Sequence, residues 1–231
     1  GVSGSYTVFA PGYAPFRFRT QVSAVSSILG TESGVRLPLQ NIDLRFDLPG
    51  LLNGRLRLFA QLRFQRIQNV GYWGLGQEAD GHIPDDYTGA KDVFFTYEKQ
   101  MIEGRTSLRY RLVKRLDLVT GFAVRATRPT IVPDSKLARD LADTDGPTHD
   151  LLYGYTRQVL NDGLLGVLWD TRDHEFSPKS GGYHELSIRG GGGPSDDRGM
   201  RYAAVYAHTR WFFPLVDEYL VLALRGLADV G

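Results

Sequence analysis

The feature that most constrains the fold of this chain is an alternation of apolar and polar residues along several long segments. Between residues 54 and 65, apolar residues occupy every second position: Leu56, Leu58, Ala60, Leu62 and Phe64. The intervening positions are polar, apart from Phe59: Arg55, Arg57, Gln61, Arg63 and Gln65. A β-strand places the two sets on opposite faces, whereas a helix mixes them around its circumference. The alternation recurs near residues 16–24, 41–48, 105–112 and 219–225, and it predicts an all-β chain.

Nine strands follow from this pattern. They cover residues 16–28, 36–48, 54–68, 91–112, 116–127, 163–172, 182–190, 200–213 and 218–228. Short connections alternate with long or polar ones, which is typical of an antiparallel up-and-down transmembrane β-barrel. We therefore predict an N-terminal segment at residues 1–15, followed by a barrel over residues 16–231 that is incomplete in this chain. The four glycines at 190–193 are predicted to lie in a flexible surface loop.

A soluble β-sandwich also alternates, and two features favour the membrane barrel over it. The predicted strands reach roughly 12–14 residues, compared with ~5–6 in soluble proteins and ~9–11 for a tilted membrane strand. The polar face carries clustered arginines with interspersed acids, which would pair and fill a lumen in a barrel and would form a solvated outer face in a sandwich. We predict that the arginines of this face point into the lumen: Arg55, Arg57, Arg63, Arg105, Arg109 and Arg111.

Composition excludes several other classes. No stretch approaches the ~18–20 uninterrupted apolar residues of a membrane helix. The chain has no cysteine, which excludes disulfide scaffolds and thiolate chemistry. A net charge of +1 gives no global basic field, so we expect no nucleic-acid partner.

Catalytic and metal-binding motifs are not found in the sequence. The five histidines (His82, His149, His174, His184 and His208) never take the i, i+2 or i, i+4 spacing of metal ligands. A nucleophile elbow is also missing, and the glycines at 190–193 are not followed by the Lys-Ser/Thr of a phosphate loop. We expect no enzymatic activity, no cofactor and no bound metal.

One block of the sequence resembles a known family. Residues 170–181, DTRDHEFSPKSG, contain an Asp-x-Arg-Asp run followed by Pro-x-x-Gly: Asp170, Arg172, Asp173, Pro178 and Gly181. This block resembles a strand–turn–strand of the bacterial outer-membrane assembly factors, the BamA and TamA-like barrels of the bacterial surface antigen superfamily. The segment NVGYWGLG at 69–76 is weakly similar to another of their segments. From the residue types, we favour a structural role for the 170–181 block, with Asp170 and Asp173 accepting hydrogen bonds from backbone N–H groups or from Arg172.

The resemblance implies a protein integral to the outer membrane of Gram-negative bacteria, in contact with lipid and lipopolysaccharide. Its function would be to insert or translocate client outer-membrane or surface proteins through an openable seam. The predicted first strand, 16–28, is rich in polar residues, as expected of a weakly paired seam strand. The family's periplasmic POTRA domains and its closing strands do not appear in the sequence, and nine strands is an odd number, so we expect an incomplete barrel. The alternative is a barrel without POTRA domains that serves as a structural anchor, docking partner or pore in a surface complex.

Overall fold

The computed structural model describes residues 1–11, 16–31, 34–75, 81–144, 152, 154–194, 199–216 and 219–231. It contains ten strands: β1 (Val2–Ala10), β2 (Phe18–Thr31), β3 (Gly34–Gly50), β4 (Leu56–Gly71), β5 (Thr96–Val113), β6 (Leu116–Ile131), β7 (Gln158–Asp170), β8 (Gly181–Gly193), β9 (Met200–Val216) and β10 (Leu220–Val230). Two short helices, α1 (Leu51–Gly54) and α2 (Lys136–Ala142), and a 3₁₀ turn at Lys91–Val93 lie between strands. No helix of the described residues is long and apolar enough to cross a membrane.

All ten strands belong to one sheet in sequence order, and each pairs with the next in antiparallel fashion. This arrangement confirms the predicted all-β, up-and-down barrel architecture. Among the described residues no ladder joins β1 to β10, so the sheet is open between them.

The strand count is ten rather than the predicted nine because Val2–Ala10 forms β1, within the segment predicted to precede the barrel. The expectation that residues 16–28 form the first, seam-lining strand was therefore wrong: β2 pairs with β1 on one side and with β3 on the other. A weak signal for β1 was present, since Tyr6 and Val8 alternate with Ser5 and Thr7. Phe9 interrupts this pattern on the polar side, and the strand is short.

The glycine run was also misjudged, because Gly190–Gly193 ends strand β8 and does not form a surface loop. A Cβ atom added at Gly191 would lie 2.6 Å from the carbonyl oxygen of Asn161 and 2.8 Å from the ring of Tyr202. Glycine is thus needed where the neighbouring strands approach β8 too closely for a side chain.

The two ends of the sheet differ in their connections. At the short-turn end, β3 joins β4 at 51–55, β5 joins β6 at 114–115, and β7 joins β8 at 171–180. At the long-loop end, β4 joins β5 through residues 72–95, and β6 joins β7 through residues 132–157, which include α2. This asymmetry is typical of membrane barrels, in which one set of turns is short and the other set of loops is long.

The two faces of the sheet have opposite character, and their burial is the reverse of that in a soluble protein. Large apolar side chains lie exposed along one face, here called the outward face; Ile102, Leu165 and Ile188 are each at least half exposed. On the other face, here called the inward face, Asp43, Glu103 and Asp117 are buried, each no more than 3% exposed. The sheet therefore shields charge and exposes apolar surface.

The tight spacing at Gly191 predicts that alanine destabilises the protein at Gly191 but not at Gly190. We expect Gly191→Ala to lower the free energy of unfolding by about 1–3 kcal/mol, because the new methyl group overlaps backbone and side-chain atoms of both neighbouring strands. At Gly190, the nearest atom to an added Cβ is 3.5 Å away, so Gly190→Ala should be neutral or stabilising by up to ~1 kcal/mol. Urea unfolding in detergent micelles, followed by tryptophan fluorescence, measures both. Equal losses of unfolding free energy for the two variants would show that close packing against the neighbouring strands is not what requires glycine at Gly191.

Candidate functional site

The inward face carries a row of alternating charges that crosses four strands. The register aligns Asp43 of β3, Arg63 of β4, Glu103 of β5 and Arg125 of β6 side by side. Arg63 donates to Asp43 at 3.1 Å, and an Arg125 nitrogen lies 2.6 Å from Glu103. The neighbouring positions on the same strands, Arg45 and Arg105, add a second arginine to each carboxylate, at 2.6 and 3.3 Å. Each buried acid is therefore held between two cations.

A second charged group lies nearer the short-turn end. Asp117 of β6 accepts a hydrogen bond from Arg109 and lies 3.5 Å from Arg111. Arg57 of β4 donates to Asp47 at 2.7 and 2.8 Å, and its other terminal nitrogen donates to Glu175 in the β7–β8 turn at 2.7 Å. Two strands, β5 and β6, separate β4 from β7, a distance of ~14 Å across a flat sheet. The Arg57–Glu175 bond thus requires the sheet to curve around its inward face and the turn to reach over it.

The structure accordingly places the arginines singled out in the sequence on one face. Arg57, Arg63, Arg105, Arg109 and Arg111 lie within 4 Å of carboxylates there. Arg55 is exposed at the start of β4 and has no carboxylate partner among the described residues.

The block at 170–181 folds as a braced turn between β7 and β8. The Arg172 guanidinium makes a two-pronged bond to Asp170, at 2.8 and 2.9 Å, and donates to the Glu175 carbonyl at 2.8 Å. It also lies over the ring of Tyr183, 4.8 Å from the centroid. Arg109 reaches the same Asp170 carboxylate at 3.5 Å, which joins the turn to the inward face. Pro178 lies within this turn.

Asp173 and Gly181 fix the backbone of this turn. One oxygen of Asp173 accepts hydrogen bonds from the backbone N–H groups of His174, Lys179 and Ser180, at 2.9–3.2 Å. Burial acts to raise the pKa of Asp173, but these backbone hydrogen bonds outweigh it and lower the pKa below its ordinary value. Gly181 has φ +94°, and a Cβ there would lie 2.3 Å from the Thr171 carbonyl oxygen. Only glycine fits this position without strain.

These braces enclose a cavity of about 630 Å³ at the short-turn end of the inward face. Its walls come from the start of β4, the β5–β6 turn and the β7–β8 turn, and include Arg55, Arg115, Asp170 and Arg172. A neighbouring cavity of about 400 Å³ shares Arg109, Arg172 and Glu175 with it and extends to Arg210 and Arg225. Arginine is thus the most frequent residue type that lines the short-turn end of the inward face.

The long-loop end carries a packed cap that the alternation pattern does not predict. Tyr72 is buried against Leu137 of α2 and Leu152, and its hydroxyl donates to Asp140 at 2.9 Å. Trp73 stacks on Phe95 with 4.5 Å between ring centroids. Tyr72 and Trp73 belong to the NVGYWGLG segment, whose Gly76 lies outside the described residues. The aromatic pair in that segment was the available signal for the cap.

An ion-pair cluster stabilises the outer side of this cap. Arg139 of α2 bonds to Asp134 and, at 3.0 Å, to Asp86 of the β4–β5 loop. The Arg139 hydrogen bond lowers the pKa of Asp86. Because all three side chains are in or near exposed loops, we assign the cluster a local structural role.

The described residues contain no group of three or more His, Asp or Glu side chains placed to hold a metal ion. Of the five histidines, His149 lies outside the described residues. The Nδ1 atom of His184 lies 2.7 Å from the hydroxyl of Thr209, and its ring lies between Trp169 and Trp211 on the outward face. His208 is buried on the inward face next to Arg210.

Comparison with known proteins supports the fold but names no family. No protein-family model matches the chain, and no curated protein matches it. Among solved structures, it is similar to the crystal structure of BamA from Haemophilus ducreyi lacking POTRA domains 1–3, with a TM-score of 0.51 and 13% sequence identity. The match covers 98% of this chain and 37% of the BamA chain, so this chain spans little more than a third of that structure's length. At this identity, the likeness concerns the fold.

The bonds of Arg172 predict that lysine cannot replace it. Arg172→Lys loses the two-pronged contact with Asp170, the bond to the Glu175 carbonyl and the stacking on Tyr183. We expect a loss of about 2–3 kcal/mol in the free energy of unfolding. Arg128→Lys, at an exposed outward position, is the matched control and should cost less than ~0.5 kcal/mol. Denaturant unfolding in micelles compares the two; similar losses would show that Arg172 is not a brace.

The lowered pKa of Asp173 predicts a pH-dependent turn. The unfolded segment binds a proton at Asp173 more readily than the folded one, so the stabilisation is complete above the ordinary carboxyl pKa of 3.8 and declines as the pH falls below it. We expect hydrogen-exchange protection of the Lys179 and Ser180 amides to fall over this acidic range. Asp173→Asn should remove that pH dependence, and an unchanged fall in the variant would refute the assignment.

Proposed function

We propose that this chain forms part of a β-barrel in the outer membrane of a Gram-negative bacterium. The observation that carries the proposal is the inverted burial of the sheet, with charged residues shielded on the inward face and large apolar residues exposed on the outward face. In water, such an outward face would be costly, whereas lipid chains would cover it favourably.

The height of the apolar surface agrees with the thickness of the hydrocarbon region of a bilayer. On β5, outward positions are apolar or small from Ile102 to Leu112, a length of ~33 Å along the strand. At the usual tilt of 35–45°, this length projects to ~25 Å, the height of the apolar band of a membrane barrel. Toward the long-loop end, the band gives way to polar residues, including an Arg66–Glu98 pair at 2.9 Å.

Aromatic residues mark the other border of the band. Trp169, Trp211 and Phe213 lie on the outward face near the short-turn end, with Trp211 and Phe213 stacked at 6.3 Å between centroids. Such residues form the interfacial girdle of membrane barrels. In bacterial membrane barrels the short turns face the periplasm and the long loops face the cell exterior, and we propose the same orientation for this chain. Lipid and lipopolysaccharide would then be the molecules in contact with the outward face.

For the cellular role, we propose insertion or translocation of other outer-membrane or surface proteins. Support comes from the fold likeness to BamA and from the 170–181 block, whose residues act together as a braced turn. In this mechanism, a client strand pairs through main-chain hydrogen bonds with an edge strand of the full barrel, and local thinning of the bilayer lowers the barrier to insertion. No reaction of its own is proposed for the chain.

A barrel that acts as an anchor, docking partner or pore within a surface complex is the second candidate. The Arg57–Glu175 bond across the inward face and the packed cap at α2 favour it, because both hold the barrel in one shape. A barrel that opens at a seam would have to break some of these contacts.

Membrane embedding predicts a position-dependent cost of a new charge. Leu165→Arg places a charge within the apolar band and should destabilise the membrane-inserted protein by about 2–4 kcal/mol. Thr130→Arg lies on the same face beyond the band and should cost less than ~1 kcal/mol. Folding into lipid vesicles under urea measures both. If both substitutions were neutral, the outward face would be facing water.

The cellular role is tested separately by depletion of the full-length protein in its native host. For an assembly factor, we expect the amounts of several unrelated outer-membrane barrels to fall, as measured by quantitative proteomics of isolated outer membranes. Re-expression of wild-type protein is the control and should restore them. Loss of only one complex would favour the anchor, and an unchanged outer-membrane proteome would exclude the assembly role.

A further inference from the structure

The strongest unassigned feature is an excess of positive charge at the mouth of the 630 Å³ cavity. Seven basic side chains and four acidic ones line this cavity. Its volume falls in the range of small-molecule sites, ~300–1,000 Å³. It lies on the inward face at the short-turn end, and the proposed assembly role does not use it.

The basic residues form two layers with different partners. In the inner layer, Arg57, Arg109 and Arg172 each bond to carboxylates at hydrogen-bond distance. Their charge is therefore balanced, and they form a fixed wall. The guanidinium groups of this layer therefore need no bound ligand to offset their charge.

The outer layer has no such balance. Arg55, Lys114 and Arg115 are exposed and have no carboxylate partner among the described residues. Arg111 lies 3.5 Å from Asp117, which already accepts a hydrogen bond from Arg109. Asp173, which lines the same cavity, accepts backbone hydrogen bonds. With Asp47, which holds Arg57, five carboxylates face the seven basic side chains, so a net excess of two positive charges remains at this opening.

The backbone that carries these cations is fixed by hydrogen bonds between strands. The Arg115 carbonyl accepts a hydrogen bond from the Asp170 N–H at 2.9 Å, and the Arg55 carbonyl accepts one from the Arg111 N–H at 2.7 Å. The β5–β6 turn is therefore tied to β4 on one side and to β7 on the other. Binding an anion would therefore require ordering of the exposed side chains but little reordering of the backbone.

We propose that this mouth binds a small phosphate-bearing anion with at least two negative charges. Guanidinium groups match phosphate oxygens in a two-pronged geometry, and several converging donors favour phosphate over a single carboxylate. The anion is either a free one entering from the short-turn side or the headgroup of an anionic lipid. The inward location of the cavity, away from the apolar outward face, favours the free anion.

Isothermal titration of the full-length protein in a nonionic detergent, with sodium pyrophosphate as the probe, tests the proposal. We expect saturable binding that weakens as the salt concentration rises. The double variant Arg55→Gln/Arg115→Gln should weaken binding roughly tenfold or more, because two charge-assisted contacts are lost. Arg128→Gln/Arg201→Gln removes the same charge from exposed positions toward the long-loop end and should leave binding unchanged.

Three controls make the outcome decisive. Gel mobility with and without heating checks that each variant folds. If the Arg55→Gln/Arg115→Gln variant fails to fold, the single variant Lys114→Gln, in the exposed β5–β6 turn, replaces it. Repeating the titration in nanodiscs distinguishes the sources: competition by phosphatidylglycerol, and not by phosphatidylcholine, indicates a headgroup, and its absence indicates a free anion. Failure of the wild-type protein to bind pyrophosphate, or equal weakening by both double variants, overturns the proposal.

Discussion

The pairing of buried carboxylates with arginines is the interaction on which the rest of this structure depends. Asp43, Glu103 and Asp117 are almost entirely shielded, and a buried charge without a partner costs several kcal/mol. Each is held by two arginines, which the antiparallel register brings to the same row or the next. The curvature of the sheet and the polarity of its inward face therefore support each other.

The turn at 170–181 extends this charged network beyond the strands. Arg172 joins Asp170 to the Glu175 carbonyl, while the Glu175 side chain reaches Arg57 on β4. The 170–181 block thus connects the β7–β8 turn to the inward face of the sheet. Inside the cavity the arginines of the inner layer are bonded to carboxylates, whereas Arg55, Lys114 and Arg115 at the mouth have no carboxylate partner among the described residues.

Much of the architecture could be predicted from alternation, because side chains on successive strand residues point to opposite faces. The strands around Leu62, Leu108 and Leu224 were recognisable in this way. β1 was missed, since Phe9 breaks its short pattern, and Gly190–Gly193 was read as a loop because glycine carries no alternation signal. The close approach of Asn161 and Tyr202, which makes glycine necessary there, exists only after folding.

The sequence by itself determined the all-β class, the polar face with its arginines and the turn block, because period-two patterning and local hydrogen bonding act over a few residues. Only the tertiary structure decided which acid each arginine meets, that β2 is flanked on both sides, and that α2 caps the long-loop end. Those outcomes depend on strand register and on contacts such as Arg57–Glu175, which join residues far apart in the chain. A local pattern carries no information about such distances.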